Sequence, residues 1–288
     1  MTKVYFTREI TSASILRLYK ALGITLPEKV AVKVHSGEVG NQNFLKPELF
    51  KDVINEVHGT VVECNTVYEG ERDTTEKHLE TIKKHGWNCF EFDLMDATGP
   101  DMILNIPNGK VIKKNYVGKN LAKYKSMLVL SHFKGHPMGG YGGALKQLSI
   151  GVASSYGKMH IHTAGSDKEE EKWTAPHDKF LESMADAASS VVKYFSGNIA
   201  FINVMKNMSV DCDCCAVAED PCLKDIGVLA SLDPIAIDQA CIDLVIKSKD
   251  RGVSHFMERV NSRNGLHTIE AATELNFGSR EYELIEIK

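Results

Sequence analysis

Residues 130–165, LSHFKGHPMGGYGGALKQLSIGVASSYGKMHIHTAG, hold four of the chain's eleven histidines, three lysines and a run of glycines. Imidazoles move protons near neutral pH and bind metals, while ammonium groups hold anions. Ser131, His132, Lys134 and His136 follow the apolar run 127–130, which reads as a short buried strand. These polar groups therefore emerge where a strand ends, the edge at which open α/β sheets bind ligands. Next, Gly139, Gly140, Tyr141, Gly142 and Gly143 form a loop whose main-chain N–H groups could cradle an anion. Residues 144–150 read as the start of a helix, with Lys146 in the first turn, where a phosphate or carboxylate would collect. In MHIH, His160 and His162 alternate. On a strand they would share one face, as two metal ligands or as one ligand and one acid/base group.

A second candidate cluster is MSVDCDCCAVAEDPCLKDIG, where Cys212, Cys214, Cys215 and Cys222 stand among Asp211, Asp213 and Asp220. Soft thiolates beside carboxylates point to a transition metal or an iron-sulfur environment, although the spacing follows no standard zinc or ferredoxin pattern. Cys64, Cys89 and Cys241 sit singly in apolar segments, where a free cysteine behaves as a small hydrophobe. Upstream, VAVKVHSGEVGNQNFLKP puts Lys33 and His35 on one face of a strand, followed by Glu38 and Asn41 in a glycine-punctuated loop. After another strand, Asn65 and Arg72 follow, and a guanidinium can clamp a carboxylate or phosphate with two hydrogen bonds.

Strands must carry these groups. KVYFT, KVAVKVHS, TVVECN, CFEFDL, MLVLSHF, IAFINVM and IGVLASL are β-branched apolar runs, and helical patterns at 46–57, 74–85 and 179–195 lie between them. That alternation predicts an α/β fold, a mostly parallel sheet with helices on both faces. Asp233 and Pro234 read as the cap and first turn of a buried helix, in which Asp238 is either hydrogen-bonded inward or, the reading preferred, a solvated carboxylate. The charge run 166–172 reads as an exposed linker. The chain is expected as one α/β unit over 1–288, with 166–178 as the place of any division into two subdomains.

With 288 residues, 43% hydrophobic and 25% charged, there is material for a sizeable core. A net charge of -4 without a basic, aromatic-laced patch argues against nucleic acid as a partner. No apolar run approaches a membrane span or a signal peptide, and seven cysteines without an export signal argue against a disulfide framework. A cytoplasmic protein with a small anionic partner is expected; the oligomeric state is left open.

The succession KVHSGEVGN, ECNTVYEGERDTTEKHL, SHFKGHPMGGYGGALKQLSIGVASSYGKMHIH, DCDCC, DIGVLASLDPIAIDQACIDLV and LNFGSREYEL resembles domain of unknown function family 362, the group known as uncharacterised Fe-S centre proteins. The resemblance spans nearly the whole chain and implies an iron-sulfur cluster. Members commonly carry a ferredoxin-like insertion with paired cysteine motifs after the segment matching His162. This chain has AGSDKEEEKWTAPHDKF there, without a cysteine. The order His136, GGYGGALK ending at Lys146, then His162 is also similar to the lactate racemase family. That similarity implies a nickel-pincer cofactor on Lys146, proton transfer by His136 and metal ligation by His162.

Three readings follow. The first, which we favour, is a metal-dependent enzyme, redox or racemase-like, combining His132, His136, Lys146, His162 and the loop 211–215 around a transition metal of unassigned identity. The second is an iron-sulfur or metal carrier without turnover. The third is a metal-free binder of a small carboxylate or phosphate, held by the glycine loop, Lys33, Arg72 and Lys146.

Overall fold

The computed structural model describes residues 1–171 and 173–288. In chain order the strands are β1 (Thr2–Thr7), β2 (Val30–Lys33), β3 (Thr60–Glu63), β4 (Phe92–Leu94), β5 (Met102–Asn105), β6 (Lys114–Val117), β7 (Ser126–His132), β8 (Lys134–His136), β9 (Gly140–Gly142), β10 (Ile199–Met205), β11 (Gly227–Ser231) and β12 (Tyr282–Glu286). The helices are α1 (Ser12–Ala21), α2 (Lys51–Glu56), α3 (Thr75–Lys84), α4 (Ala144–Ser149), α5 (Ser155–His162), α6 (His177–Phe195), α7 (Pro234–Lys247), α8 (Val253–Ser262) and α9 (His267–Glu274).

An eight-stranded sheet runs in the order β12-β1-β11-β10-β7-β2-β3-β4. Its pairings are parallel except where β11 meets β1 and β10. The expected mostly parallel α/β sheet is therefore present, with β11 alone reversed. The pleat sends alternate residues to opposite faces: Ala31, Met127, Val129 and Phe201 into one core with α4, α6 and α7, and Val32, Leu128, Leu130 and Ile202 into the other with α1 and α2. Both faces are covered, which is why β7 and β10 are buried along their whole length and carry the apolar runs 127–130 and 199–202. Each fully buried side chain of this size contributes roughly 1.5–3 kcal/mol.

Helix starts follow their capping chemistry. The Asp233 carboxylate accepts from the N–H groups of Ile235 (2.8 Å) and Ala236 (3.0 Å), with Pro234 in the first turn, as read from the sequence. The expected strand at MHIH is instead the end of α5. Ser154 caps this helix by accepting from Gly157 N–H at 3.0 Å, and a Cβ on Gly157 would lie 1.9 Å from the Tyr116 carbonyl oxygen that packs there. Two residues along a helix rotate by roughly 200°, so His160 and His162 face opposite ways. Asp238 is likewise fully buried rather than solvated. Cys89 is exposed, because the turn Trp87–Cys89 buries Trp87 and leaves the thiol outside. Within the run 166–172, Glu169–Glu171 forms a 3-10 turn, and Lys172 lies outside the described residues.

Candidate functional site

Strands β2, β3, β7 and β10 are parallel, so their carboxyl ends open on one edge of the sheet. From β2 come Lys33 and His35, from β3 Glu63 and Cys64, from β7 the run into β8 that ends at His136, and from β10 the loop carrying the cysteines. That loop is stitched down by three consecutive amides. Asn41 Nδ2 donates to Cys215 O (2.8 Å), Gln42 Nε2 to Ala218 O (2.7 Å) and Asn43 Nδ2 to Glu219 O (2.8 Å). Glu38 N–H adds a bond to Asp213 O at 2.8 Å. The histidine segment and the cysteine loop, 76 residues apart at His136 and Cys212, thus meet in space.

Their meeting point is the Cys212 sulfur. Lys146 Nζ lies 3.6 Å from it, and His136, His35 and Cys214 hydrogen-bond to it. One nitrogen of His136 and the sulfurs of Cys212 and Cys214 all fall within 4.8 Å of one another. Burial opposes ionisation of Cys212, but the Cys214 thiol and the positive charges of Lys146 and Lys134 outweigh it and hold Cys212 well below the usual thiol range. Cys214 is pushed well above that range by its hydrogen bonds to Cys212 and Cys215. The Lys146 ammonium, despite burial, is held above its ordinary value by Cys212, Cys214 and Asp213. His136 Nδ1 accepts the N–H groups of Met138 (3.1 Å) and Gly139 (2.9 Å), which leaves Nε2 as the nitrogen for the thiolate. Burial lowers His136, as it lowers His35 to about 4 and His162 to about 3, so these rings are neutral at physiological pH.

Beside this cluster lies a cavity of about 170 Å³. Lys33, Arg72, Lys146 and Lys158 contribute positive groups to its wall, Glu63 the one carboxylate among the described residues, and Cys214, His136 and His162 also line it. Glu63 accepts from the Ser36 main-chain N–H and faces Arg72 (3.6 Å) and His78 (3.5 Å). Desolvation works against its charge, but Lys33, His78 and Arg72 hold it well below the usual carboxylate range. Arg72 also meets Glu38 at 3.2 Å and Tyr68 OH at 2.8 Å.

Several candidates are placed elsewhere. His132 stands behind the site, with Nδ1 2.9 Å from both Asp213 oxygens and Nε2 2.6 Å from Lys206 O. Asp213, which Lys134 also reaches at 3.3 Å, is thereby held below the usual range and braces the cysteine loop from beneath. Asp211 pairs with Arg259 at 3.1 Å on the outer side. Asn65 bonds Thr75 and His78 and positions α3. His160 rests edge-on against Tyr116, whereas His162 stacks on Phe180 at 4.7 Å. Cys222 bonds Met208 O, apart from the other three loop thiols.

The glycine loop is not an open anion cradle. Gly140–Gly142 pairs with Lys134–His136 as a hairpin, and the first N–H groups of α4, from Ala144 (2.7 Å) and Leu145 (3.0 Å), donate to the buried Asp238 carboxylate. Gly143 therefore makes room for a protein carboxylate, while Gly142 pairs with Lys134 in the hairpin. A Cβ on Gly143 would lie 2.4 Å from Asp238 Oδ1. Gly143→Ala is expected to cost roughly 1–3 kcal/mol, read as a lower urea midpoint with an unchanged slope.

Sequence reasoning missed Lys158, Glu63, Gln42 and Asn43. Lys158 was detectable once 155–162 is helical, because it lies four residues before His162 on the same face.

No described helix is long and apolar enough to cross a membrane. No curated protein matches the sequence. Among solved structures, the lactate racemase apoprotein from Thermoanaerobacterium thermosaccharolyticum is similar at 14% identity and a TM-score of 0.40, over 69% of this chain and 50% of that one. A crystal structure of a Thermotoga maritima protein is similar at 9% identity and a TM-score of 0.40, over 91% of this chain and 58% of that one. This chain thus spans about half the length of those proteins, and neither likeness bears on its chemistry. The family model that matches, over residues 30–243, is Domain of unknown function (DUF362), and the chain belongs to that family.

Proposed function

We propose that this protein is a metal-dependent enzyme whose centre is anchored by Cys212 and Cys214, with His136 at a third position and a small anionic substrate in the adjoining cavity. The observation that carries this reading is the convergence of an imidazole nitrogen and two sulfurs within 4.8 Å, with His136 and Cys214 of that group on the wall of a cationic cavity. Three protein donors with one side open to a cavity is the pattern of catalytic rather than structural sites. The donor chemistry suits a soft transition ion, and two thiolates are too few for a four-thiolate cluster. A metal held there would supply Lewis acidity on the cavity side.

The chain's own residues do the rest. Lys146 keeps Cys212 ionised, as a ligand must be. The main-chain N–H groups on Nδ1 fix the His136 ring, so Nε2 carries the proton in the neutral ring and must lose it to become a ligand. His136 is therefore the weakest of the three donors, and the thiolate pair carries the affinity.

Anaerobic purification, elemental analysis and cobalt(II) reconstitution test this reading. About one metal per chain with a thiolate-to-cobalt charge-transfer band is expected. Cys214→Ser should retain a tenth or less of that metal, and His136→Ala a larger share. Full metal occupancy in Cys214→Ser, or none in the unaltered protein, would sink the proposal.

A further inference from the structure

The cavity's charges do not balance. Glu38 and Glu63 both face Arg72, and Lys33 shares Glu63 with that guanidinium; Lys33 and Lys158, 2% and 6% exposed, make no direct ion pair among the described residues. Among the described residues each ammonium makes a single hydrogen bond, Lys33 Nζ to Val34 O and Lys158 Nζ to Ala153 O, both at 2.5 Å. An ammonium has three donors, and a buried cation is costly unless polar or anionic groups meet them. Burial drives Lys33 down to about 8 and lowers Lys158; Lys158 and Lys146 add repulsion at Lys33 and Arg72 adds it at Lys158, against a partial pull from Glu63 at both. The remaining wall is of the opposite character: Val67, Pro137, Met138, Ile150 and Trp173. The whole space is several times the roughly 30 Å³ that one water occupies.

We infer that the cavity recognises a short-chain aliphatic acid, its anionic head between Lys33 and Lys158 and its chain along Met138, Ile150 and Trp173. This rests on the reading that the cavity takes an anion, and it is independent of the metal. A free inorganic anion would satisfy the lysines but leave the apolar wall unused. The chain therefore sets affinity, while the head sets orientation toward Cys214.

Calorimetry on chelator-stripped protein, with acetate, butyrate, hexanoate and inorganic phosphate as probes, tests the inference. Affinity is expected to rise about fourfold per methylene from acetate to butyrate, and phosphate should bind no better than acetate. Trp173 emission should respond, since Trp87, the other tryptophan, is fully buried in the core. Lys158→Met should weaken butyrate binding at least tenfold. If that variant does not fold, Met138→Ser should leave acetate unchanged and remove about half of the chain-length gain. Phosphate or acetate binding as tightly as butyrate, or no binding of any probe, would overturn the inference. A Cys214→Ser protein that loses no metal but keeps butyrate binding would instead defeat the metal reading alone.

Discussion

Asp238→Ala is expected to lower stability by about 4 kcal/mol and to disorder the Lys146 side of the site. The Asp238 carboxylate is fully buried and accepts four hydrogen bonds, from Ala144 N–H (2.7 Å), Leu145 N–H (3.0 Å), Asn203 Nδ2 (2.7 Å) and Tyr141 OH (3.3 Å). Burial pushes its carboxyl up to about 6, with those donors pulling the other way. Alanine would leave all four donors without an acceptor, at roughly 1–3 kcal/mol each before relaxation. Asp238→Asn is a sharper probe, because its shape is retained. Each carboxylate oxygen faces one N–H of α4, so either orientation of the amide sets an NH₂ against a main-chain donor, and a loss of about 2 kcal/mol is expected. Urea denaturation of both variants gives these values. The metal content of the folded fraction then reports whether Lys146 still reaches Cys212. An Asn variant as stable as the original protein would show that the four donors contribute little.

Arg72→Met is expected to be comparably damaging, at about 3–5 kcal/mol. The guanidinium lies between two buried carboxylates, Glu38 at 3.2 Å and Glu63 at 3.6 Å, and methionine fills the space without the charge. The pH dependence follows from Glu63, whose folded-state acidity lies well below the usual range despite desolvation because Lys33, His78 and Arg72 favour the anion. A depressed carboxylate contributes stability above its unfolded value, near 4.5, and that contribution is lost as pH falls through the folded value. Without Arg72 the folded value rises, so the gap between the two proteins should be full at pH 7 and shrink on acidification below about 4.5. Glu38→Gln in the Arg72→Met background should recover part of the loss. A gap that stays constant from pH 7 down to pH 3 would mean that packing, not charge, is what Arg72 provides.

The elements of the fold were largely legible. Apolar β-branched runs marked β1, β2, β3, β4, β7, β10 and β11, and the Asp233–Pro234 start of α7 was readable because a cap is a local hydrogen bond between residues two or three apart. The short hairpin strands β8 and β9 were not. Their register is set by contacts that sequence distance hides, such as Gly135 N–H to Ser209 O at 2.8 Å. The helix at 155–162 was misread as a strand because an alternating MHIH fits a period of two, whereas the decisive signals were the Ser154 cap and the Tyr116 carbonyl against Gly157.

Residue chemistry alone therefore determined which groups this protein has to work with: Lys33, His35, Arg72, His136, Lys146, His162 and the Cys212–Cys214 pair, placed after strands of an α/β sheet in the DUF362 family. Only the tertiary structure decided which of them meet. Parallel neighbours β2, β3, β7 and β10 bring their carboxyl ends to one edge, so Lys146 comes to lie 3.6 Å from a thiol 66 residues away. The same packing assigned the N-terminus of α4 to Asp238 rather than to a ligand, and turned His132 and Asp213 into a brace. Burial is the physical reason for both outcomes. Once water is excluded each charge needs a partner, and which partner is in reach is a property of the folded chain that no local pattern encodes.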